Sequence, residues 1–345
     1  MRNMTRHIPQ LIMAVFLLVM AVTAVLAGIP SIRLMNDSII RLAMNGVLVL
    51  SLIPMLNVGA GINYGLPVAI SSGLLGMSMA VNLRLESIIG FLAAVLFSIL
   101  VGCVFGYAYA RVLNRVKGRE EIAGIFTGFS FVFLMSFFWA VAPFTNPAML
   151  WPIGGKGMRP TIGLTAYFEK ALNHLWAVQI GDLIMPFGLL AFFGLLSWMV
   201  YALFKTKLGL AILAVGENEL FARLAGININ KTRTYAIMMS TVLGAIGICV
   251  YAQSYGFIEL YEAPLMMAFP AASAILLGGS MGKKTSIFQA ILGTFLFQTI
   301  YVYTGPIANT LLVPEVSEII RVIISNGIIL YALLYEGGGK RIEKA

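Results

Sequence analysis

Long apolar runs dominate this sequence and constrain its fold more than any other feature. A helix that crosses a bilayer needs about 20 mostly apolar residues, and stretches of that length recur along the chain. Charged residues make up only 11% of it, against roughly 25% in soluble globular proteins. We predict an all-α, polytopic membrane protein with one domain over 1–345. Its ten predicted spans lie near 8–29, 39–57, 66–83, 87–110, 122–142, 182–204, 234–254, 264–281, 286–304 and 316–335.

Lys and Arg residues predict the orientation of these spans, because basic residues accumulate on the cytoplasmic side of a membrane. With a cytoplasmic N-terminus, sixteen of the 23 basic residues fall on the inner side. An even number of spans places both termini in the cytoplasm. The formal net charge of +9 is scattered among several loops, so it indicates topology and not a nucleic-acid surface.

Two connections between predicted spans are long. The outer connection, 143–181, contains Trp and Tyr residues that suit a belt at headgroup level, and it could bind a partner or pack over the mouth of the membrane domain. The inner connection, 205–233, holds a polar segment at 214–229 between two apolar runs. These two connections are the candidate sites of interaction outside the membrane.

The polar segment is predicted to form a helix of about nine residues. Glu217 and Glu219 would lie in its first turn, Arg223 in its last, and Gly226 at a left-handed cap. Isolated helices below ~12 residues are marginal in water, so this helix needs a surface to dock on. That surface is either a partner or, for a simple connector, the protein's own membrane domain. An apolar stripe would face it: Leu220, Leu224 and Ile227.

The predicted spans differ in what they place at mid-membrane. Ionisable residues are scarce there, which disfavours proton coupling because such residues usually mark proton pathways. The third and eighth spans are interrupted by Gly and Pro, and they lie five crossings apart. They would therefore occupy matching places in two inverted five-helix halves, a pattern that points to a midplane pathway. Close helix packing through small residues is the alternative explanation.

Chemical motifs are sparse in the sequence. The segment 278–285 resembles a phosphate loop, but Lys283 replaces the glycine required before Lys284. We predict no catalytic residue, metal site or cofactor in this chain, and we do not expect it to be an enzyme. The interrupted spans supply pathway candidates with amide, hydroxyl or helix-breaking character: Asn57, Gly59, Asn63, Tyr64 and Pro270.

Two motifs resemble a known family of membrane proteins. Val215-Gly-Glu-Asn218, followed by Ala222-Arg-Leu-Ala-Gly-Ile227, resembles the cytoplasmic loop of ABC-importer permeases of the branched-chain amino acid and simple-sugar type. Leu277-Gly-Gly279 is similar to that family's glycine-rich segment after the eighth span. The resemblance is clearest over 205–300, fair over 45–115 and poor in the outer loop.

The resemblance implies a type II importer fold and a set of partners. These are a second permease, identical or homologous, two cytoplasmic ABC ATPases that use ATP and Mg²⁺, and an extracytoplasmic binding protein. The polar segment would then be the coupling helix that rests in a cleft of the ATPase. Its implied coupling residues are Gly216, Glu217, Asn218, Ala222, Arg223 and Gly226.

The expected substrate is a neutral polar solute, because the spans carry little charge. Ribose-like permeases of this family usually show Gly-Ile-Asp-Leu-Ser where this chain has Gly61-Ile-Asn-Tyr-Gly65. A simple sugar is the first expectation and a nucleoside the second. Two other classes stay open: an ion-coupled carrier or channel that needs no ATPase, and a membrane scaffold without transport.

Overall fold

A computed structural model of the protein describes residues 8–151, 155, 157–280, 284–311, 319, 323, 326, 327 and 330. Helices predominate, since a helix satisfies its own backbone polar groups where lipid offers none. They are α1 (Ile8–Leu26), α2 (Ser31–Leu50), α3 (Ile53–Asn57), α4 (Leu66–Asn82), α5 (Ser87–Arg115), α6 (Glu120–Val141), α7 (Ala171–His174), α8 (Phe187–Phe204), α9 (Lys207–Glu217), α10 (Glu219–Leu224), α11 (Ile229–Tyr255), α12 (Ala263–Met266), α13 (Ala268–Leu277) and α14 (Ile287–Leu311). Short strands accompany them: β1 (Thr161–Gly163), β2 (Ala177–Ile180), β3 (Leu183–Pro186) and β4 (Phe257–Glu259).

The apolar helices agree with the first nine predicted spans. Among the described residues, six helical segments are long and apolar enough to cross a membrane: Ser31–Asn57, Ser87–Arg115, Glu120–Val141, Phe187–Phe204, Ile229–Tyr255 and Ile287–Thr310. Three shorter apolar segments accompany them: Gln10–Leu26, Leu66–Asn82 and Ala263–Leu277. The prediction of a helical, multi-pass membrane protein is confirmed. The tenth predicted span, 316–335, lies almost wholly outside the described residues.

Several helices extend beyond the predicted spans. The second span begins at Ser31 and not at 39, the fourth continues to Arg115, and the seventh begins at Ile229. The added turns contain polar residues such as Asp37. An apolar window detects only the part of a helix that matches the hydrocarbon core, about 30 Å thick, so it misses turns that continue into the polar region.

Two predicted spans have a different structure at one end or in the middle. The sixth, 182–204, opens with β3, and α8 begins only after Pro186, whose fixed φ suits a helix start better than a helix interior. The eighth, 264–281, divides at Met267 into α12 and α13 and ends its helical part at Leu277. The interruption of the eighth span is thus confirmed, whereas the unbroken helix at the start of the sixth is wrong.

Close packing of α4 with α5 and α11 forms the centre of the domain. A Cβ atom added at Gly73 would lie 2.5 Å from the carbonyl oxygen of Ala245 in α11. One added at Gly76 would lie 2.7 Å from Cα of Ser98 in α5. Small residues therefore permit these helices to approach closely, which explains the glycines of the third span by packing. The predicted interruption of that span is wrong, because α4 runs unbroken from Leu66 to Asn82.

The long connection 143–181 packs onto the helical domain. Its strand β1 pairs antiparallel with β4, with Ile162 opposite Ile258. Further along, the Lys170 amide donates to the Gln253 carbonyl oxygen at 2.7 Å. β2 and β3 form a hairpin that leads into α8. This connection therefore packs on the membrane domain, and the binding of a partner, the other role that the sequence leaves open, stays a prediction.

Candidate coupling surface and solute cavity

The polar segment forms two helices that meet at Asn218. Asn218 has extended backbone, with φ −155° and ψ 105°, and its Oδ1 accepts a hydrogen bond from the Phe221 amide at 3.0 Å. This is a side-chain N-cap, which satisfies one of the free amides at a helix start. The prediction of one helix with Glu217 in its first turn is therefore wrong, since Glu217 ends α9 and α10 begins at Glu219.

The predicted cap and charges of α10 are in place. Glu219 lies in its first turn and Arg223 in its last, where each charge complements the helix dipole. Gly226 follows with φ +81°, a left-handed conformation that glycine adopts without steric cost. The end of the helix and its charge pattern were thus predictable from local sequence.

The exposed apolar residues of α10 differ in one member from the predicted stripe. Leu220, Phe221 and Leu224 are 66%, 65% and 79% exposed, and we call them the α10 face. Ile227 instead packs against a buried cluster that includes Ala222. The α10 helix is therefore attached to its own domain by one side and presents three large apolar side chains on the other.

Two surface ion pairs attach the polar segment to neighbouring connections. Glu219 accepts from Lys117 at 3.0 Å, and Glu217 lies 2.7 Å from Lys284. The Lys117 hydrogen bond lowers the pKa of Glu219. Exposed pairs contribute only about 0–1 kcal/mol each, so they orient the segment more than they hold it.

A buried ion pair lies behind this surface. Arg233 of α11 donates to Glu120 of α6, and both side chains are nearly inaccessible to solvent. Arg233 Nε also donates to Oδ1 of Asn114 in α5 at 3.2 Å. The network joins three helices next to the polar segment. Sequence reasoning missed it, because its members are far apart in the chain and carry no local signature.

Gly216 lies against the end of α3. A Cβ atom at this position would overlap the carbonyl oxygen of Asn57, so the contact requires glycine. The Asn57 side chain binds Thr285, accepting from its amide at 2.7 Å and donating to its carbonyl oxygen at 3.1 Å. Gly59, with φ +78°, lies beside Gly216. The two pathway candidates of this region thus contact the polar segment.

Asn63 and Tyr64 lie in the loop between α3 and α4. The Asn63 amide donates to Ser240 Oγ at 2.9 Å, and its oxygen accepts from the Tyr109 hydroxyl at 3.0 Å. The Tyr64 ring lies 5.6 Å from the ring of Phe269. Both side chains are part of the packing between helices, and Asn63 is buried.

A cavity of about 390 Å³ opens between α2, α11, α13 and α14. Pro270 lines it, whereas the other four pathway candidates are not among the described residues around it. Most of its lining is apolar, and its polar lining residues are Arg41, Asn45, Tyr251, Tyr255, Glu259, Glu262, Gln298, Tyr301 and Asn326. The sequence offers one signal for it, the pair Tyr251 and Tyr255 at i and i+4 on one helix face.

Aromatic rings define one wall of the cavity. Tyr251 and Tyr255 stack with ring centroids 5.4 Å apart and planes at 17°. Phe257 meets Tyr255 edge-on, at 4.8 Å and 70°. Arg41 lies 5.2 Å from the centroid of the Tyr301 ring. Within the described part of the chain, three or more His, Cys, Asp or Glu residues nowhere gather as metal ligands would.

Comparison with known families agrees with this architecture. The family described as the permease component of the branched-chain amino acid transport system matches residues 37–333. The protein therefore belongs to this family of ABC-transporter permeases, as the motifs around Asn218 and Gly278 indicate. The match begins within α2 and covers the polar segment and the described residues that line the cavity.

Two relatives with similar sequences are named as permease proteins. The chain is 25% identical over 248 residues to the nucleoside ABC transporter permease protein NupC of Lactococcus lactis subsp. cremoris (strain MG1363), covering 69% of this chain and 72% of that protein. It is 28% identical over 240 residues to the autoinducer 2 import system permease protein LsrC of Yersinia pestis (strain Pestoides F), covering 67% and 64%. The chain thus spans just under two thirds of LsrC.

A solved structure is similar at a lower level. A metal-chelate type ABC transporter in an inward-facing conformation matches with a TM-score of 0.45 and 14% identity, covering 86% of this chain and 85% of that one.

Proposed function

We propose that this protein is the permease subunit of an ATP-binding cassette importer, and that it moves a neutral polar solute across the cytoplasmic membrane. The observation that carries the proposal is the α10 face, a cluster of three exposed apolar side chains on a capped helix within the family's motif. Burying apolar area gains about 25 cal/mol per Å², so a partner that covers this face is favoured. A simple sugar is the first candidate substrate and a nucleoside the second.

The partner that covers α10 is, in this proposal, a cytoplasmic ABC ATPase that binds ATP and Mg²⁺. Asn218 starts the docking helix, Ala222 lets its inner side pack closely, and Gly226 ends it. Arg223 places a positive charge on the docking side. This chain contributes no cofactor of its own, and ATP hydrolysis takes place in the partner.

Motion of α10 has a direct route into the membrane domain. α10 follows α9 through a single residue, and Gly216 of α9 rests on the carbonyl oxygen of Asn57. Asn57 in turn holds Thr285 by two hydrogen bonds. A shift of the docking helix would therefore displace α3 and the connection before α14 together. Glu217, through Lys284, would support the same connection.

The assembly that we propose contains two permeases, identical or homologous, two ATPases and an extracytoplasmic binding protein, all placed around the lipid bilayer. Each permease would have ten spans in two inverted five-helix halves, with both termini in the cytoplasm. The connection 205–233 would then face the ATPase, and 143–181 the binding protein. The excess of Lys and Arg on one side supports this orientation.

The solute route is proposed to include the cavity. Pro270 lines it directly. A role in the route for Asn57, Gly59, Asn63 and Tyr64 stays a prediction, and the side-chain amides of Asn57 and Asn63 are already bound to protein groups.

Reconstitution tests the proposal. In proteoliposomes, uptake of solute should require the cognate ATPase, ATP and a binding protein, and should not require a proton or sodium gradient. Uptake driven by such a gradient through this chain alone would overturn the importer and favour an ion-coupled carrier.

Two substitutions test the coupling role. Arg223→Glu inverts the charge on the docking side, and Gly216→Ala places a methyl group where the carbonyl oxygen of Asn57 lies. Both should abolish uptake while membrane insertion is retained. Gly194→Ala in α8 is the matched control, because no atom lies within 4 Å of the added methyl group. Normal uptake by both coupling variants would reduce the polar segment to a connector.

A further inference from the structure

We infer that the cavity binds a solute with a flat ring that carries hydrogen-bonding groups on its edge, as an uncharged nucleoside does. The inference rests on the proposed transport function and narrows its substrate class. It assigns a binding site to Tyr251, Tyr255 and Gln298, with Asn45 and Glu259 beside them. None of these residues is a member of the polar segment.

The aromatic wall favours a planar ligand. Tyr251 and Tyr255 lie nearly parallel, and Phe257 supports the second ring edge-on. Tyr255 borders the cavity and is 46% exposed, so part of its ring remains accessible to a ligand beside these two contacts. Stacking on an aromatic side chain tolerates every nucleobase, because each base has a π-face.

Gln298 supplies the group that would read the edge of such a ring. Gln298 is only 7% exposed, it borders the cavity, and its side-chain amide makes no hydrogen bond to any residue that the structure describes. A buried amide is normally hydrogen-bonded. Asn57 and Asn63, by contrast, have both ends of their amides bound to protein groups. The unused amide of Gln298 is therefore directed to a ligand.

A second amide is half free. Asn45 Nδ2 donates to the Arg41 carbonyl oxygen at 3.1 Å. The side-chain oxygen of Asn45 accepts no hydrogen bond from a residue that the structure describes, so it can accept one from a ligand. A Gln or Asn amide presents a donor and an acceptor side by side and can match both groups on the edge of a base. The Glu259 carboxylate could accept hydrogen bonds from the hydroxyl groups of an attached sugar.

The charge of the described lining disfavours anionic solutes. Among the lining residues that the structure describes, Glu259 and Glu262 face the cavity with one cation, Arg41, and the Arg41 guanidinium lies over the Tyr301 ring. Within this described lining, a phosphate group would meet two carboxylates and a guanidinium that is already engaged with a ring. The uncharged nucleoside, and not the nucleotide, fits this balance.

Equilibrium binding to the purified permease–ATPase complex in lipid nanodiscs tests the inference, with radiolabelled adenosine, uridine and ribose as probes. The two nucleosides should bind and ribose should not. Tyr255→Leu and Gln298→Leu should each weaken nucleoside binding about tenfold, the scale of one lost base–aromatic stack. Tyr255→Phe should keep full affinity, because it keeps the ring.

Controls separate a lost site from a damaged protein. Tyr235→Leu makes the same substitution in α11 at an exposed residue that does not border the cavity, and it should bind adenosine normally. Co-purification of the ATPase monitors folding of every variant. Equal binding of ribose and adenosine, no binding of any probe, or full affinity in both Leu variants would overturn the inference.

The same preparations distinguish this inference from the proposed transport function. ATP-dependent uptake of ribose that Tyr255→Leu leaves unchanged would overturn the nucleoside site and preserve the importer. Uptake that never depends on ATP would overturn the importer itself.

Discussion

The α10 face and the cavity are both surfaces where apolar groups lie without a covering partner, but they are built in opposite ways. Three side chains within fewer than two helical turns form the α10 face, and it projects outward on a helix of six residues. The cavity is lined by residues that range from Arg41 to Asn326 in the sequence, and it lies between four helices. An outward apolar cluster suits a macromolecule, whereas a concave one with unused amides suits a small molecule.

The interactions that attach the two surfaces to the rest of the domain also differ. Exposed ion pairs attach the polar segment, and such pairs contribute little and can be remade as a partner moves. The cavity wall on α11 continues into β4, and β4 is paired antiparallel with β1 of the connection 143–181. We therefore expect the α10 face to move as a unit and the cavity to change only when the helices around it shift.

The largest expected effect concerns the sides of the membrane that α10 and the β2–β3 hairpin face. In a Cys103→Ala, Cys249→Ala background, a cysteine at Lys231, near α10, should stay unlabelled by an impermeant thiol reagent in intact cells. A cysteine at Asp182, in the hairpin before α8, should be labelled. Both positions are exposed, so accessibility in the protein is equal. Labelling of both, or of Lys231 alone, would contradict the placement of α10 and this hairpin on opposite sides of the membrane.

The next effect concerns the buried network behind the α10 face. Arg233→Ala leaves Glu120 without its partner among the nearby described residues, and removing one member of a buried pair costs about 3–5 kcal/mol. The unfolding temperature in detergent should fall sharply. The double variant Arg233→Met, Glu120→Leu should recover most of the loss, because it removes both charges. Equal stability of Arg233→Ala and the parent would show that the pair is not formed.

A third effect separates docking from solute binding. Leu224→Asp places a charge on the α10 face and should weaken association with the ATPase at least about tenfold, as loss of a central interface residue does. Adenosine binding at the cavity should not change. Ile184→Asp is the matched control, since Ile184 is an exposed apolar residue on the hairpin before α8. Equal loss in both variants would point to general damage.

The sequence predicts features of the α10 face better than features of the cavity, because the determinants of α10 are neighbours in the chain. The end of α10 was predictable because its determinants, Arg223 and Gly226, are neighbours in the chain. The break at Asn218 was missed, although Asn is a preferred N-cap residue and therefore a local signal for the start of a new helix. The apolar windows of the spans are local as well, and nine of the ten predictions coincide with apolar helices.

Residues that act through distant partners could not be assigned in this way. An isolated Asn in an interrupted span is equally compatible with a solute and with a protein partner. Only the fold shows that Asn57 binds Thr285, while Gln298, which no motif distinguishes, has an unused amide at the cavity. Arg233 and Glu120 are likewise brought together by the packing of α6 and α11.

The smallest expected effect concerns the surface pair Lys117–Glu219, which tests how loosely the α10 face is attached. The hydrogen bond from Lys117 lowers the pKa of Glu219, so the pair stabilises the fold above the pKa of the unfolded carboxyl, about 4.3, and this contribution disappears as pH falls through the lower folded value. Because Glu219 is 45% exposed, solvent screening limits the contribution to about 0–1 kcal/mol. Lys117→Met should therefore lower the unfolding temperature slightly at neutral pH and not at all at pH values below both pKa values. The difference should also shrink at high ionic strength. A difference that persists in acid would mean that Lys117 acts through packing of its aliphatic chain and not through Glu219.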